Sequence, residues 1–205
     1  MQEILPGLFH WSAFHEPIGA RVSSLYVAPA GVVIDPKEPE EGLESLPGKP
    51  QQVLLTSGHH HRDAARFAEA FGIPIRASHP AAEHIGDRLT VEVFAENEEV
   101  APGVRAIHIG KISADEGAFH LSVAEGVIAF ADGLIRYGET LSFVPDELIG
   151  EHPERVKEGL RDAFRGLLTR DFDHLVFAHG DPLIGGGKAL LRKFAAAGED
   201  QLRSG

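Results

Sequence analysis

The chain has 205 residues, 43% of them hydrophobic, a formal net charge of −12 and no cysteine, which fits one globular domain spanning 1–205 or two fused half-domains sharing a core. The acidity excludes nucleic acid as an expected partner, because a phosphate backbone is bound through cationic contacts that release counterions, and no basic cluster offsets it. The absence of cysteine excludes disulfides, thiolate nucleophiles and thiolate-bound zinc, so any metal must rest on histidine and carboxylate ligands, a set suited to zinc, manganese or iron.

MQEILPGLFHWSAF at the start carries no cationic leader followed by a long apolar run, so no signal peptide is expected. No apolar stretch approaches the roughly 20 residues that span a bilayer. The expectation is a soluble, cytoplasmic protein with no membrane partner.

Along the chain, Gly19–Ala28 and Gly31–Asp35 read as strands flanking a Pro-Ala-Gly turn, a hairpin signal. Gln52–Thr56 (QVLLT) is a short apolar run expected to form a buried strand. Asp63–Phe71 follows as a helix, with Ala64, Phe67, Ala68 and Phe71 at helical spacing and Gly72 as the stop. Pro74–Ser78, Val104–Ile109, Gly117–Val123 and Gly126–Ala131 read as further strands. Pro153–Thr169 is the clearest helix, Pro153 suiting its first turn and Val156, Leu160, Phe164, Leu167 and Leu168 forming its apolar stripe. His174–Ala178 (HLVFA) reads as a buried strand and Lys188–Ala197 as a last amphipathic helix. Strands with helices at intervals, in two similar halves, suggest two packed sheets with helices outside.

Three strand ends carry residues of chemical interest: the run TSGHHHRDAA (56–65), placing His59–Asp63 after QVLLT, Asp132 after GVIAFA and His179 after HLVFA. Rigid scaffolds commonly hand functional residues to a shared site from such positions. Singly, each has a plainer reading: a strand-end histidine hydrogen-bonded at the surface, and Asp132-Gly133 as a turn. Their order and spacing together raise the metal reading.

The same residues carry a resemblance to the metallo-β-lactamase superfamily. VVIDP (32–36) matches its early strand ending in Asp, LLT its strand before a His-rich loop and helix, FADGLI its Gly-Asp strand end, and FAHGDP its final ligand histidine. The resemblance covers nearly the whole chain and implies a four-layer αββα sandwich, two mixed β-sheets flanked by helices, with one or two metal ions at the sheet edges.

The family's usual loop, T-H-x-H-x-D-H, is altered here. Two registers are open. If Thr56 is held in place, Ser57 falls on the first His, His59 on the second, His61 on the Asp and Arg62 on the last His; Asp63 is then a helix N-cap. With a two-residue slip, His59-x-His61-x-Asp63 fits the core of the motif and Asp63 becomes a ligand. In IHIGKISADEG (107–117), Lys111 stands where the family's next ligand His would be, and His108 reads as a packed or surface residue. The family's three-histidine site is therefore expected to be lost.

What the resemblance leaves is a mixed nitrogen and oxygen set, His59, His61, Asp132 and His179, expected to hold one divalent ion, zinc foremost with manganese or iron as alternatives. An open coordination position is the pattern of a catalytic zinc. Lys111 and Arg62 are expected to stand in for the charge of the missing ion beside Asp132. Asp115 and Glu116 are candidates for a replacement ligand or general base, against the plainer reading of a solvated acidic loop. A branch of the superfamily has a His-His-x-Arg loop, which implies that His60 and Arg62 act together in the pocket. Asp181 is placed to orient His179 or to cap the following turn. The expected function is a metal-dependent hydrolase acting on a small-molecule ester, thioester or lactone, with a homodimer allowed. The alternative is a non-catalytic ligand-binding or interaction module that keeps the fold and has lost the metal.

Overall fold

In the computed structural model, residues 1–197 are described; residues 198–205, the end of the expected single domain, lie outside them. The first half runs β1 (Gln2–Leu5), β2 (Leu8–His15), β3 (Ala20–Val27), β4 (Val32–Ile34), β5 (Gln52–Leu54), α1 (Ala64–Phe71), β6 (Ile75–Ser78), α2 (His79–Ile85) and β7 (Glu92–Phe94). Its strands form a seven-stranded sheet in sequence order. Pairing is antiparallel from β1 to β4 and parallel from β4 to β7.

The second half continues through β8 (Glu99–Ala101), β9 (Val104–His108), β10 (Gly117–Leu121), β11 (Val127–Phe130), β12 (Ile135–Tyr137), β13 (Thr140–Ser142), α3 (Asp146–Ile149), α4 (Pro153–Leu167), β14 (His174–Phe177) and α5 (Gly187–Ala196). A five-stranded sheet has the order β14-β11-β10-β9-β8, and β12 and β13 form a separate ribbon. Only the β11–β14 pair is parallel within the five-stranded sheet.

Strand periodicity accounts for the layering, since successive side chains point to opposite faces. In β4 and β5, Val32, Ile34 and Leu54 enter the core between the sheets, whereas Val33 and Val53 pack outward under α1 and α2 with Phe67, Ala81 and Ile85. In β11 and β14, Val127, Ala129 and Val176 face the central core. Ile128, Phe130, Leu175 and Phe177 face α4 and α5, meeting Leu160, Phe164, Leu167 and Leu191. Strands buried on both faces read as unbroken apolar runs, as VVI, VIAF and HLVF do. The result is the four-layer αββα sandwich.

The expected hairpin forms, with Leu25 opposite Ile34 and Gly31 at φ 63°. The α4 stripe also faces inward, Val156 and Leu168 at its half-buried margin. Strands β1, β2, β7, β8, β12 and β13 and helices α2 and α3 are not among the elements expected from sequence. Among the described residues no helix is long and apolar enough to cross a membrane.

One glycine fixes a site-bearing strand end. After β14, Gly180 adopts φ 109° and bridges to Arg136 of β12. A Cβ there would fall 1.7 Å from the Arg136 carbonyl oxygen, so no side chain fits without moving the backbone beside His179. Backbone strain and overpacking each cost of order 1–3 kcal/mol. Gly180→Ala is expected to lower unfolding free energy by roughly 2–4 kcal/mol in denaturant titrations.

Candidate metal centre

The ends of four strands meet at one edge of the sandwich: Asp35 after β4, Thr56 and the histidine run after β5, Asp132 after β11 and His179 after β14. Backbone bonds lock the two sheets together there, Ser23 N donating to Ala178 O at 2.9 Å and Gly117 N to Thr56 O at 2.8 Å.

The histidine run is a 3₁₀ turn over Gly58–His61, opened by Ser57, whose Oγ accepts the His59 amide. A 3₁₀ turn has about three residues per turn, so consecutive side chains leave it roughly 120° apart. The three histidines therefore serve three surroundings. His60 points inward and is 4% exposed; His59 turns outward to meet His84 of α2, ring centroids 4.0 Å apart; His61 folds back, its Nδ1 2.8 Å from Gly58 O.

His60 lies between two carboxylates. Its Nδ1 is 3.0 Å from Asp35 Oδ2 and 2.9 Å from Thr56 Oγ1, and its Nε2 is 3.2 Å from Asp132 Oδ1. The same Asp132 oxygen is 3.2 Å from His179 Nε2. Asp35 also accepts the Thr56 amide at 2.8 Å and the Thr56 hydroxyl. Burial alone would make His60 less basic, but Asp132 and Asp35 together raise its pKa to about 9. Burial opposes ionisation of the two carboxylates as well, yet His60 holds both below their ordinary value, assisted by Arg62 and Thr56 at Asp35 and by His179 at Asp132.

Arg62 follows the turn with φ 35° and ψ −115°, a strained conformation for a residue with a side chain. Its Nη1 donates to Ser23 O at 2.6 Å and Asp35 O at 2.8 Å, while its buried Nη2 has no partner among the described residues.

The donors thus fall into two groups whose ligand atoms lie within 4.8 Å of one another: His60, Asp132 and His179, and His59, His84 and Asp115. Asp132 and His179, expected as ligands, are together. His59 and His61, expected beside them, are not: the extended loop assumed from sequence is a tight turn, and the middle imidazole takes the inward position. The signal lay in VVIDP, because the Asp that ends β4 needs a buried partner and His60 supplies it.

Asp63 stands at the N-cap position of α1, as one register expects, and is not among the grouped metal donors. It precedes α1 without a side-chain cap bond; its carboxylate instead accepts Lys37 Nζ at 3.2 Å and the Glu38 amide at 2.8 Å. Lys111 does not accompany Arg62 in the pocket: it is exposed, and its stem lies along α4, where a Cβ on Gly159 would be 3.2 Å from Lys111 Cδ. The solvated acidic loop is replaced by a buried one. Asp115 is 5% and Glu116 2% exposed. Asp115 Oδ2 accepts Ser57 Oγ at 3.0 Å and the Gly58 amide at 2.8 Å, and Glu116 Oε2 accepts the Lys111 and Ile112 amides at 3.3 and 3.1 Å. Asp181 binds no ring nitrogen of His179; its carbonyl accepts Arg136 Nη1.

A cavity of about 380 Å³ opens between the sheets, lined by Thr56 but by none of His60, Asp132 and His179. Leu55, Phe94, Ala106, Ile107, Ala118 and Phe119 supply apolar walls, and Thr56, Glu96 and Glu116 add polar groups.

No protein-family model matches the chain, and no curated protein matches it. Solved structures do. A metallo-beta-lactamase family protein from Thermus thermophilus is similar with TM-score 0.67 and 16% identity, over 98% of this chain and 82% of that one. A metallo-beta-lactamase from Erythrobacter litoralis gives 0.71 and 13%, over 96% and 95%. A Cronobacter sakazakii metallo-beta-lactamase with a HARLDQ motif gives 0.63 and 19%, over 98% and 93%. Strand order, layering and these likenesses agree: the chain has the metallo-β-lactamase fold.

Proposed function

We propose that the chain is a metal-dependent hydrolase whose single catalytic cation is held by His60, Asp132 and His179. The observation that carries this reading is the convergence of three donors from three strand ends, one of them backed by a buried carboxylate. Donors about 2.1 Å from a tetrahedral zinc are roughly 3.4 Å from one another, close to the 3.2 Å separations of Asp132 Oδ1 from both imidazoles. Asp35 on His60 Nδ1 supplies the outer partner that fixes the orientation of a ligating imidazole. The donor chemistry suits zinc, with manganese and iron as alternatives.

When bound, such a cation supplies Lewis acidity and acidifies water at neutral pH. The chain's own groups do the rest. Asp35 and Thr56 fix the ring of His60. Arg62 closes the backbone beside Asp35 through its Nη1 bonds to the Ser23 and Asp35 carbonyls. The substrate class proposed is a small ester, thioester or lactone, the carbonyl chemistry that metal-acidified water serves. The net charge of −12 supports a small-molecule partner over nucleic acid, and the lack of cysteine accords with a cytoplasmic setting.

A second reading, a binding module without metal, is favoured by one observation: His60 bridges both carboxylates, with Arg62 beside Asp35 and His179 beside Asp132, so protein groups alone can balance the pair. Metal analysis of protein purified without chelator separates the two. The hydrolase reading expects about one zinc equivalent that depends on His179. His179→Ala is expected to lower kcat/KM on model esters by more than the roughly 10–100-fold that losing an outer partner costs, and Asp35→Asn to fall within that range. A folded wild-type chain with no His179-dependent metal and no esterase activity supports the binding module.

Glu116 acts here as a positioning group. It is buried against the loop after β11, where a Cβ on Gly133 would fall 2.2 Å from its Oε1. Burial, with Asp132 nearby and despite three backbone amides, raises its pKa to about 7. The folded value lies above the unfolded one, so its contribution to stability is complete below about pH 4.5 and is lost as pH rises through 7. Glu116→Gln keeps an acceptor for the amides and removes the charge. Denaturant titrations are expected to show the variant more stable than wild type at pH 8, with the gap closing by pH 4.5.

A further inference from the structure

We propose a second metal site, built from His59, His84 and Asp115 and open to solvent, that takes a zinc-class divalent cation independently of the His60 centre. This inference goes beyond the hydrolase reading and does not need it.

Three observations on different elements build the site. Asp115 is 5% exposed, and Ser57 Oγ and the Gly58 amide fix its carboxylate from below. His84 comes from α2, an element anchored by buried Ala81 and Ile85 and capped by Ser78 Oγ, which accepts the Ala81 amide at 3.3 Å. His59 comes from the 3₁₀ turn, its ring 4.0 Å from that of His84 at 61°. One ligand atom of each lies within 4.8 Å of the others. Donors on a zinc ion are at most about 4.2 Å apart, so small rotations of the two exposed imidazoles close the set.

The close approach of α2 to the turn is itself specific. A Cβ at Gly58 would lie 2.9 Å from His84 Cβ and 3.0 Å from Ala81 O. Glycine at this position is what lets the helix bring His84 over Asp115. The donor set of two imidazoles and one carboxylate is that of zinc with an open position for water or substrate.

The test is zinc titration by calorimetry, with metal analysis after dialysis, on the full chain and on His84→Ala, His59→Ala and His179→Ala; cobalt(II) absorption spectra report the donor set. The wild type is expected to bind two equivalents. His84→Ala and His59→Ala should each weaken one of them beyond the roughly 10–100-fold cost of losing an outer partner, and His179→Ala should spare that same one. Circular dichroism checks that each variant is folded; His84 is exposed on α2, so its removal leaves the core intact. If only one equivalent binds, and it depends on His84 and His59 but not on His179, this site stands and the hydrolase centre fails. Zinc uptake in His84→Ala and His59→Ala equal to wild type overturns the proposal, as does a wild type that takes up no zinc.

Discussion

Two carboxylates delivered to one spot by different sheets are the constraint on which this edge of the molecule depends. Asp35 ends β4 and is 3% exposed; Asp132 ends β11 on the opposite sheet. Left together without a cation they would repel in a poorly hydrated pocket, and an uncompensated buried charge costs roughly 3–5 kcal/mol. His60 resolves this by presenting one ring nitrogen to each. The arrangement ties the sheets through side chains, where Ser23–Ala178 and Gly117–Thr56 already tie them through the backbone.

Geometry of the turn then decides the fate of every neighbour. A 3₁₀ turn cannot aim two consecutive imidazoles at one point, so giving His60 to the carboxylates sends His59 toward α2 and His61 back to its own carbonyl. Arg62 leaves the turn at positive φ because its Nη1 must reach the carbonyls of Ser23 and Asp35. Strain at a residue with a side chain persists only where surrounding contacts over-determine it, and these two bonds are such contacts. The conformation of one four-residue turn therefore sends one imidazole to each group of donors.

The layered architecture was readable because it follows from periodicity. Runs such as VVI, VIAF and HLVF are apolar on both faces, as strands covered on both sides must be, and the α4 stripe needs no tertiary information. Most of the elements not expected from sequence are short or polar, β2 with its eight residues being the exception. Strands β7, β8, β12 and β13 have three residues each, below the length at which alternation carries a signal. Helix α2 was legible in principle, since Ser78 followed by His79-Pro80 is a cap with proline in the first turn; overlooking it hid His84. Strand-end placement of Asp132 and His179 came from the apolar runs before them. The choice among His59, His60 and His61 rested on loop conformation, which adjacent histidines do not encode, and the resemblance supplied a motif whose spacing this loop does not share. Lys111 illustrates a different gap: a position in a motif says nothing about which way a long flexible stem lies, and here apolar contact along α4 takes it.

These features bear on how the two proposed states of the centre relate. His60 can offer Nε2 to a metal only after giving up the proton that Asp132 shares. A divalent cation and that proton therefore compete for one place, and both satisfy the same requirement for positive charge beside Asp132. Asp35 serves either state equally, because it holds Nδ1 whether the opposite nitrogen carries a proton or a cation. The β-lattice that delivers Asp35, Asp132 and His179 is packed through Val32, Ile34, Val127, Ala129 and Val176, none of which touches the exchange. The packing that presents Asp35, Asp132 and His179 thus rests on apolar contacts, while the positive charge beside the carboxylates is a separate requirement that protein groups or a bound cation can meet.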